Sequence, residues 1–417
     1  MTPKFSKPRV IIIGGGLVGL GTAFALLKRA PQLQLTLLDK EPGFGRHQSS
    51  HNSGVLHAGL YYKPGSAKAR LAVHGIRSMT AFCAKHAVPY EITGKLVVAV
   101  TADELPRLQM LLERGTANGL QGLRMLSSSE ALEIEPHVRC LQAVHVPEEG
   151  IVDFAAVVAA LCSEITALGG ELRASAGVSA LERRNDGWVV TAGEASLEAD
   201  FVVNSAGLQS DRVATLAGEE PPCRIVPFRG EYFEVRESRR HLVRNLIYPV
   251  PDPAFPFLGV HFTRMIGGGV ECGPNAVLAT AREGYRRSQF SLRDVADVAS
   301  FPGLWRFVAG HPRMTAFEVA RSLSRTLFAK SLQRLVPEIE AADLIPGNAG
   351  VRAQAMRPDG TIVDDFLFLE RPDALHVLNA PSPAATASLA IGEEVASKVI
   401  ALLTAPSATA TPPAARS

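Results

Sequence analysis

No pair of cysteines stands in a CxxC arrangement: Cys83, Cys140, Cys162, Cys223 and Cys272 are scattered along the 417 residues. That spacing argues against a structural zinc site and a disulfide framework and fits a reducing compartment, so no metal site is expected. No apolar run reaches the roughly eighteen residues that a bilayer span needs. Lys and Arg number 43 against 41 Asp and Glu, and a net charge of +2 gives no field for nucleic acid. A secretory signal is not expected, because the apolar run Val10 to Ile13 is too short and enters a glycine turn directly. Internal repeats are missing. The last residues, 404–417, are rich in Ala, Pro, Ser and Thr without a periodic pattern and are expected to be disordered. The expectation is a cytoplasmic protein of about two to three domains, with peripheral contact to the inner face of a membrane left open.

What the chain does have is Val10-Ile11-Ile12-Ile13 followed by Gly14-Gly15-Gly16-Leu17-Val18-Gly19, then a helical stretch, then Leu35-Thr36-Leu37-Leu38-Asp39. Gly14, Gly16 and Gly19 fill the GxGxxG positions, and Asp39 follows Gly19 by twenty residues, where a ribose-binding carboxylate belongs. Gly14 permits a tight turn, Gly16 lets a pyrophosphate approach the backbone, and Gly19 lets helix and strand pack closely. The helix N-terminus then presents unpaired N–H groups to the phosphates. An ordinary βα turn would not call for the terminal acid, so the segment reads as a dinucleotide-binding unit.

Beyond Asp39 a loop over 42–65 is rich in glycine and histidine, too polar for regular structure and long enough to be functional. Ser66 is placed to cap a helix to about residue 86. A strand is expected over 90–100, a capping box at Thr101 and Glu104 opening a helix, and a helix over 154–168 capped by Asp153. Asn185-Asp186-Gly187 signals a hairpin. Phe201-Val202-Val203-Asn204 is a short apolar strand ending in Ser205-Ala206-Gly207, suited to a buried parallel strand returning to the first sheet. From 224 to about 274, short alternating strands broken by Pro and Gly predict antiparallel sheet. Helices are expected over 292–301 and 314–335, strands near 366–369 and 375–378, and a final helix opened by Pro383-Ala384-Ala385-Thr386. Nucleotide-binding pieces thus recur at the beginning, near residue 200 and at the end. A simple nicotinamide dehydrogenase would more often keep that domain contiguous.

Several segments carry a resemblance. They are HNSGVLHAGLYYKPGS (51–66), GKLVVAV (94–100), VVNSAGLQSDRVA (202–214), PFRGEYFEV (227–235), 246–279, REGY (282–285), GNAGVRAQA (347–355) and NAPSPAATASLAIG (379–392). In this order the chain resembles the FAD-dependent oxidoreductases of the D-amino-acid oxidase and glycerol-3-phosphate dehydrogenase superfamily, and within it the L-2-hydroxyglutarate dehydrogenase/oxidase family. The resemblance implies an α/β fold in which a Rossmann-type FAD-binding domain (1–90, 150–220, 340–403) is interleaved with an antiparallel-sheet substrate domain (91–149, 221–339). It implies oxidation of a small dicarboxylate, L-2-hydroxyglutarate, to 2-oxoglutarate, with a quinone or oxygen as electron acceptor. Sister chemistry on an amino acid or glycerol 3-phosphate, or a non-catalytic flavin protein, are the alternatives. The oligomeric state is open.

That chemistry needs a base, a carboxylate clamp and a partner for the reduced flavin. His57 in the glycine-rich loop is the first candidate base and His261 on the antiparallel sheet the second; His47, His51 and His311 are weaker. Arg352, Arg229 and Arg264 are candidate clamps, Arg352 grouped with the catalytic residues, and Tyr62 and Tyr248 are hydroxyl donors. Gly14, Gly16, Gly19 and Asp39 are expected to hold the ADP half of the cofactor, with Lys40, Arg46, Ser53 and Gly54 on the continuation of that site and His47 serving the pyrophosphate or loop hydrogen bonding. The resemblance adds Val178, Ala206 and Gly207, then Gly350 and Val351 near the isoalloxazine. Pro383, Ala384, Ala385 and Thr386 would supply helix N–H groups to the reduced ring.

Overall fold

Arg9–Ile13 and Phe201–Asn204 are almost wholly buried, as strands inside a parallel sheet must be. In the computed structural model, which describes residues 7–185, 187–252 and 258–405, the two pair in parallel with Ile11 opposite Val202. Their sheet runs in the order Leu367–Arg371, Ala374–Asn379, Phe201–Asn204, Arg9–Ile13, Gln34–Leu38, Glu171–Arg173. All neighbours are parallel except the outermost pair, Leu367–Arg371 against Ala374–Asn379. One sheet is therefore assembled from the start, the middle and the end of the chain. The helix Leu17–Arg29 crosses the final helix Ser388–Thr404, and Gly21 and Gly392 meet at the crossing. Ser66 caps the helix Ala67–Lys85 by accepting the Ala69 N–H, and Asp153 caps Phe154–Ala167 in the same way.

The second sheet is larger. Its order is Val277–Leu278, Arg224–Val235, Val270–Gly273, His261–Arg264, Leu246–Pro249, Lys95–Ala99, Gln142–Val146, Arg124–Ser127, with Leu344–Met356 also paired to Arg224–Val235. Its pairs are antiparallel apart from Leu246–Pro249 with Lys95–Ala99. Register puts Lys95, Leu246, Thr263 and Glu271 in one row across four strands. Tyr248 and His261, two residues further along their strands, share that face. The opposite face carries Leu96, Ile247, Phe262 and Cys272, which pack on Phe328 and Leu332. Two three-stranded sheets complete the fold: Val55–Leu56, Gly150–Val152 and Tyr90–Glu91, and the meander Val178–Arg184, Gly187–Ala192, Ala195–Ala199.

Three sequence expectations change. The strand over 90–100 breaks at Gly94, whose φ of +72° turns the chain from the small sheet into the large one. The helix over 314–335 is replaced by Pro312–Leu323 and Arg325–Leu332, because Pro312 starts one helix and Ser324 caps the next, and a further helix, Pro302–Gly310, precedes them. The last helix begins at Ser388, so residues 383–386 form the turn before it. Asp186 of the hairpin turn, residues 253–257 and the tail beyond 405 lie outside the described residues. Among the described residues no helix is long and apolar enough to cross a membrane.

Candidate active site

Gly14 has a φ of +108°, and a Cβ there would fall 2.4 Å from the Ser205 carbonyl oxygen. A Cβ on Gly19 would lie 1.9 Å from the Gly14 carbonyl oxygen, so helix and turn pack backbone to backbone. Gly16 is different: its nearest neighbour is the Ser49 hydroxyl at 3.1 Å, and it opens onto two adjoining cavities of about 440 and 120 Å³. Gly16, Gln48, Ser49, Ser205 and Gly207 border both. The larger cavity ends at Asp39, Lys40, Arg46, His47 and Val178, and also meets Gly14 and Ala206; the smaller ends at Ala384 and Ala385.

This space fits a dinucleotide with a second ring system. The Leu17–Arg29 helix has no acidic side chain in its first turn, so its positive end faces the cavity unneutralised. Ser205 Oγ is buried without a hydrogen-bond partner where the two cavities meet. Asp39 is held at the far end: its carboxylate accepts the Gly15 N–H at 2.7 Å and the Glu41 N–H at 2.8 Å. Lys40 bridges Glu41 and Glu283, with His47 Nε2 3.1 Å away. Its ammonium therefore occupies the middle of the one cluster, Glu41, His47 and Glu283, that has metal-ligand spacing among the described residues.

Gly19, Ser53, Gly54, Gly350, Val351, Pro383 and Thr386 do not line either cavity. Several of them instead pack on neighbouring chain segments. A Cβ on Gly54, at φ +66°, would meet the Val152 carbonyl at 2.9 Å, and one on Gly350 would meet the His51 carbonyl at 2.5 Å. Val351 packs with Leu208 and Ala279. Thr386 Oγ1 accepts the His57 N–H at 3.2 Å and donates to the Val55 carbonyl at 3.1 Å, clasping the loop to the end of the chain.

The titratable groups gather where that loop meets the large sheet. His57 Nδ1 lies 3.4 Å from Glu149 Oε2, and Glu149 pairs with Lys95 Nζ at 2.6 Å. Burial alone would raise the Glu149 carboxyl, but Lys95 and His57 outweigh it and hold it at about 2. The Lys95 ammonium sits over the Tyr61 and Tyr248 rings, 4.6 and 5.0 Å from their centroids. Tyr248 stacks on His261 at 3.8 Å, and His57 meets Tyr248 edge-on at 6.3 Å. His261 is buried, which brings it down to about 3; His57, Arg352 and Lys95 push the same way, and its Nδ1 bond to the Gly259 carbonyl opposes them. It stays a neutral imidazole near pH 7. Arg352 donates to the Asn275 carbonyl at 3.4 Å and is close enough to Tyr232 and Glu318 to feel both.

The other candidates stand apart from this group. Arg264 forks onto Glu91 at 2.9 and 2.6 Å on the surface, since it lies three residues from His261 and so on the opposite face of the strand. Arg229 is buried and bonded to Glu231 at 3.0 Å, and Glu231 also takes Arg287, Ser322 and Asn275. Neither is presented as a substrate clamp. Tyr62 faces Ser382 in the turn before the last helix. His51 packs against Tyr285 in a tilted arrangement with centroids 4.0 Å apart, and His311 bonds to the Phe307 carbonyl at 2.9 Å. Sequence reasoning missed Lys95, Glu149 and Glu271. The available signal was a charge set into an apolar strand, as in Gly94-Lys95-Leu96-Val97-Val98 and Val270-Glu271-Cys272.

A glycine-turned helix end, a carboxylate beyond the second strand and a cavity that continues to the turn before the last helix fit a dinucleotide-binding oxidoreductase. Comparison agrees: residues 9–398 match the FAD dependent oxidoreductase family, and the chain belongs to it. FAD is therefore its cofactor. It is 46% identical over 388 residues to L-2-hydroxyglutarate dehydrogenase of Indibacter alkaliphilus (93% of this chain, 97% of that one). It is 43% identical over 394 residues to the enzyme of that name in Escherichia coli K12 (94% and 93%). Against the human mitochondrial L-2-hydroxyglutarate dehydrogenase the figure is 42% over 412 residues (94% and 88%). The fold is also that of the FAD-bound L-alpha-glycerophosphate oxidase of Mycoplasma pneumoniae, with a TM-score of 0.75 at 22% identity and 96% of each chain covered.

Proposed function

We propose that this enzyme oxidises L-2-hydroxyglutarate to 2-oxoglutarate. The observation that carries the reading is identity of 42–46% along nearly the whole length of relatives bearing that activity in their names. In this reading the segments 1–90, 150–220 and 340–403 hold the cofactor, while 91–149 and 221–339 roof the substrate. Bound FAD supplies the acceptor for the hydride that leaves the substrate α-carbon. His57 takes the hydroxyl proton at Nε2, since its Nδ1 faces Glu149. Arg352 offers a guanidinium to one substrate carboxylate. His261, a neutral imidazole, adds no charge beside His57. Electrons then leave to a quinone, reached by peripheral contact with a membrane face, or to oxygen.

The test is an anaerobic titration of the purified holoenzyme with L-2-hydroxyglutarate, watched at the visible flavin band, with the D isomer as control. Bleaching by the L isomer alone is the expected result. A band that stays yellow with both isomers refutes the substrate, and glycerol 3-phosphate and amino acids are then titrated in turn. Re-oxidation by air or by a soluble quinone separates the two acceptors.

A further inference from the structure

Lys95 and Glu149 form a buried ion pair, with side chains 0% and 1% exposed. Such a pair is a poor source of stability, because desolvating both charges offsets most of their attraction. Its value lies in what else Glu149 touches. Glu149 Oε1 accepts the Ala58 N–H at 3.1 Å, and Oε2 stands 3.4 Å from His57 Nδ1. The His57 N–H is meanwhile held by Thr386. Thr386 thus holds the His57 backbone while the ring faces Glu149, both partners being distant in sequence.

We propose that Glu149, kept anionic by Lys95, is the positioning residue for His57: it accepts the Nδ1 proton and leaves Nε2 bare toward the substrate hydroxyl. This rests on the reading of His57 as the base. An imidazole has two tautomers, and only the one protonated at Nδ1 accepts at Nε2. A carboxylate at Nδ1 selects that tautomer, aims the ring, and stabilises the imidazolium formed as the substrate proton arrives. The surroundings suit the task. Lys95 comes from the large sheet, Tyr61 and Tyr62 from the loop after His57, Tyr248 and His261 from neighbouring strands. Among these Lys95 is the cation at contact distance from Glu149; burial lowers its ammonium and Glu149 opposes that. Tyr61 and Tyr248 enclose its ammonium in aromatic faces and hold off water.

The test uses the FAD-loaded enzyme and two variants: Glu149→Gln, and the double variant Glu149→Gln with Lys95→Met, which leaves no orphaned ammonium if the single variant folds poorly. Stopped-flow reduction by L-2-hydroxyglutarate is expected to slow about 100-fold. The substrate concentration for half-maximal reduction should stay within about threefold, because neither residue binds substrate. Nitrogen-15 NMR of histidine-labelled protein, with His57 assigned from the His57→Gln spectrum, reads the tautomer without any substrate. The parent should show Nδ1–H, and the double variant should lose that preference. An unchanged tautomer, or an unchanged reduction rate in a variant that retains FAD, overturns the proposal. If the parent is not reduced at all, the substrate reading has failed, and the NMR result alone decides the role of Glu149.

Discussion

Gly21 and Gly392 meet backbone to backbone: a Cβ on Gly392 would lie 2.3 Å from the Gly21 carbonyl carbon. The contact lets the first and last helices cross close enough to bury their apolar faces on each other, with Leu20 and Ile391 both fully buried.

Gly392→Ala sets two effects against each other. Alanine favours a helix interior by about 1 kcal/mol over glycine. Overpacking costs about 1–3 kcal/mol, and here the atoms struck are backbone, which no rotamer change can move aside. The variant should therefore melt several degrees lower by circular dichroism. A midpoint at or above that of the parent would mean that the helices separate freely.

Arg352 and Arg264 should respond in opposite ways to removal. Arg264 is tied to Glu91 in solvent, where ion pairs are worth less than about 1 kcal/mol. Arg264→Ala should leave flavin reduction within about twofold of the parent. Arg352→Ala should raise the half-saturating substrate concentration on the order of 10–100-fold, as loss of a charged hydrogen bond does. Equal behaviour of the two in stopped-flow reduction would move the clamp elsewhere.

Glu271 predicts a pH dependence. Burial, with Glu234 opposite it in the sheet, raises its carboxyl to about 8. The folded chain therefore keeps a proton that the unfolded chain has already released. Glu271 favours the fold at low pH, and that stability is lost as pH rises from the ordinary carboxyl range toward 8. Glu271→Gln should melt close to the parent at pH 5 and above it at pH 8.5, by on the order of 1–3 kcal/mol. Parallel melting curves across that range would count against a protonated Glu271.

Arg282, the arginine of the REGY segment, is 1% exposed and locked to Asp211 and Asp297, with the Leu208 carbonyl at 2.9 Å. Arg282→Met leaves Asp211 buried without its cation and should cost about 3–5 kcal/mol. Urea unfolding of the holoenzyme measures it. A loss below 1 kcal/mol would show that Asp211 finds another partner.

The nucleotide half was the most legible part of the chain, because glycine positions, a terminal acid and apolar runs report backbone needs that hold wherever the motif occurs. Gly14, Gly16 and Asp39 stand at the cavity for reasons their spacing already implied. The catalytic half was harder. Arg229 and Arg264 look alike in sequence to Arg352, and only strand register and the partners Glu231 and Glu91 separate them. Lys95 stood out only as a charge in an apolar strand, and its pairing with Glu149 was silent because the two lie 54 positions apart and meet only through tertiary packing. The break at Gly94 and the three helices over 302–332 follow from single residues that punctuate otherwise continuous patterns.

Thr386 ties His57 and Val55 to a turn more than three hundred positions downstream, and the last helix covers the glycine face of the first. During synthesis the glycine turn leaves the ribosome long before its cover does. A nascent chain halted before Thr386 carries an open cradle, an unclasped histidine loop and bare apolar helix surface, the hallmarks of a chaperone client. Chains terminated before this cover is made should fail to retain flavin however much of the first sheet they contain.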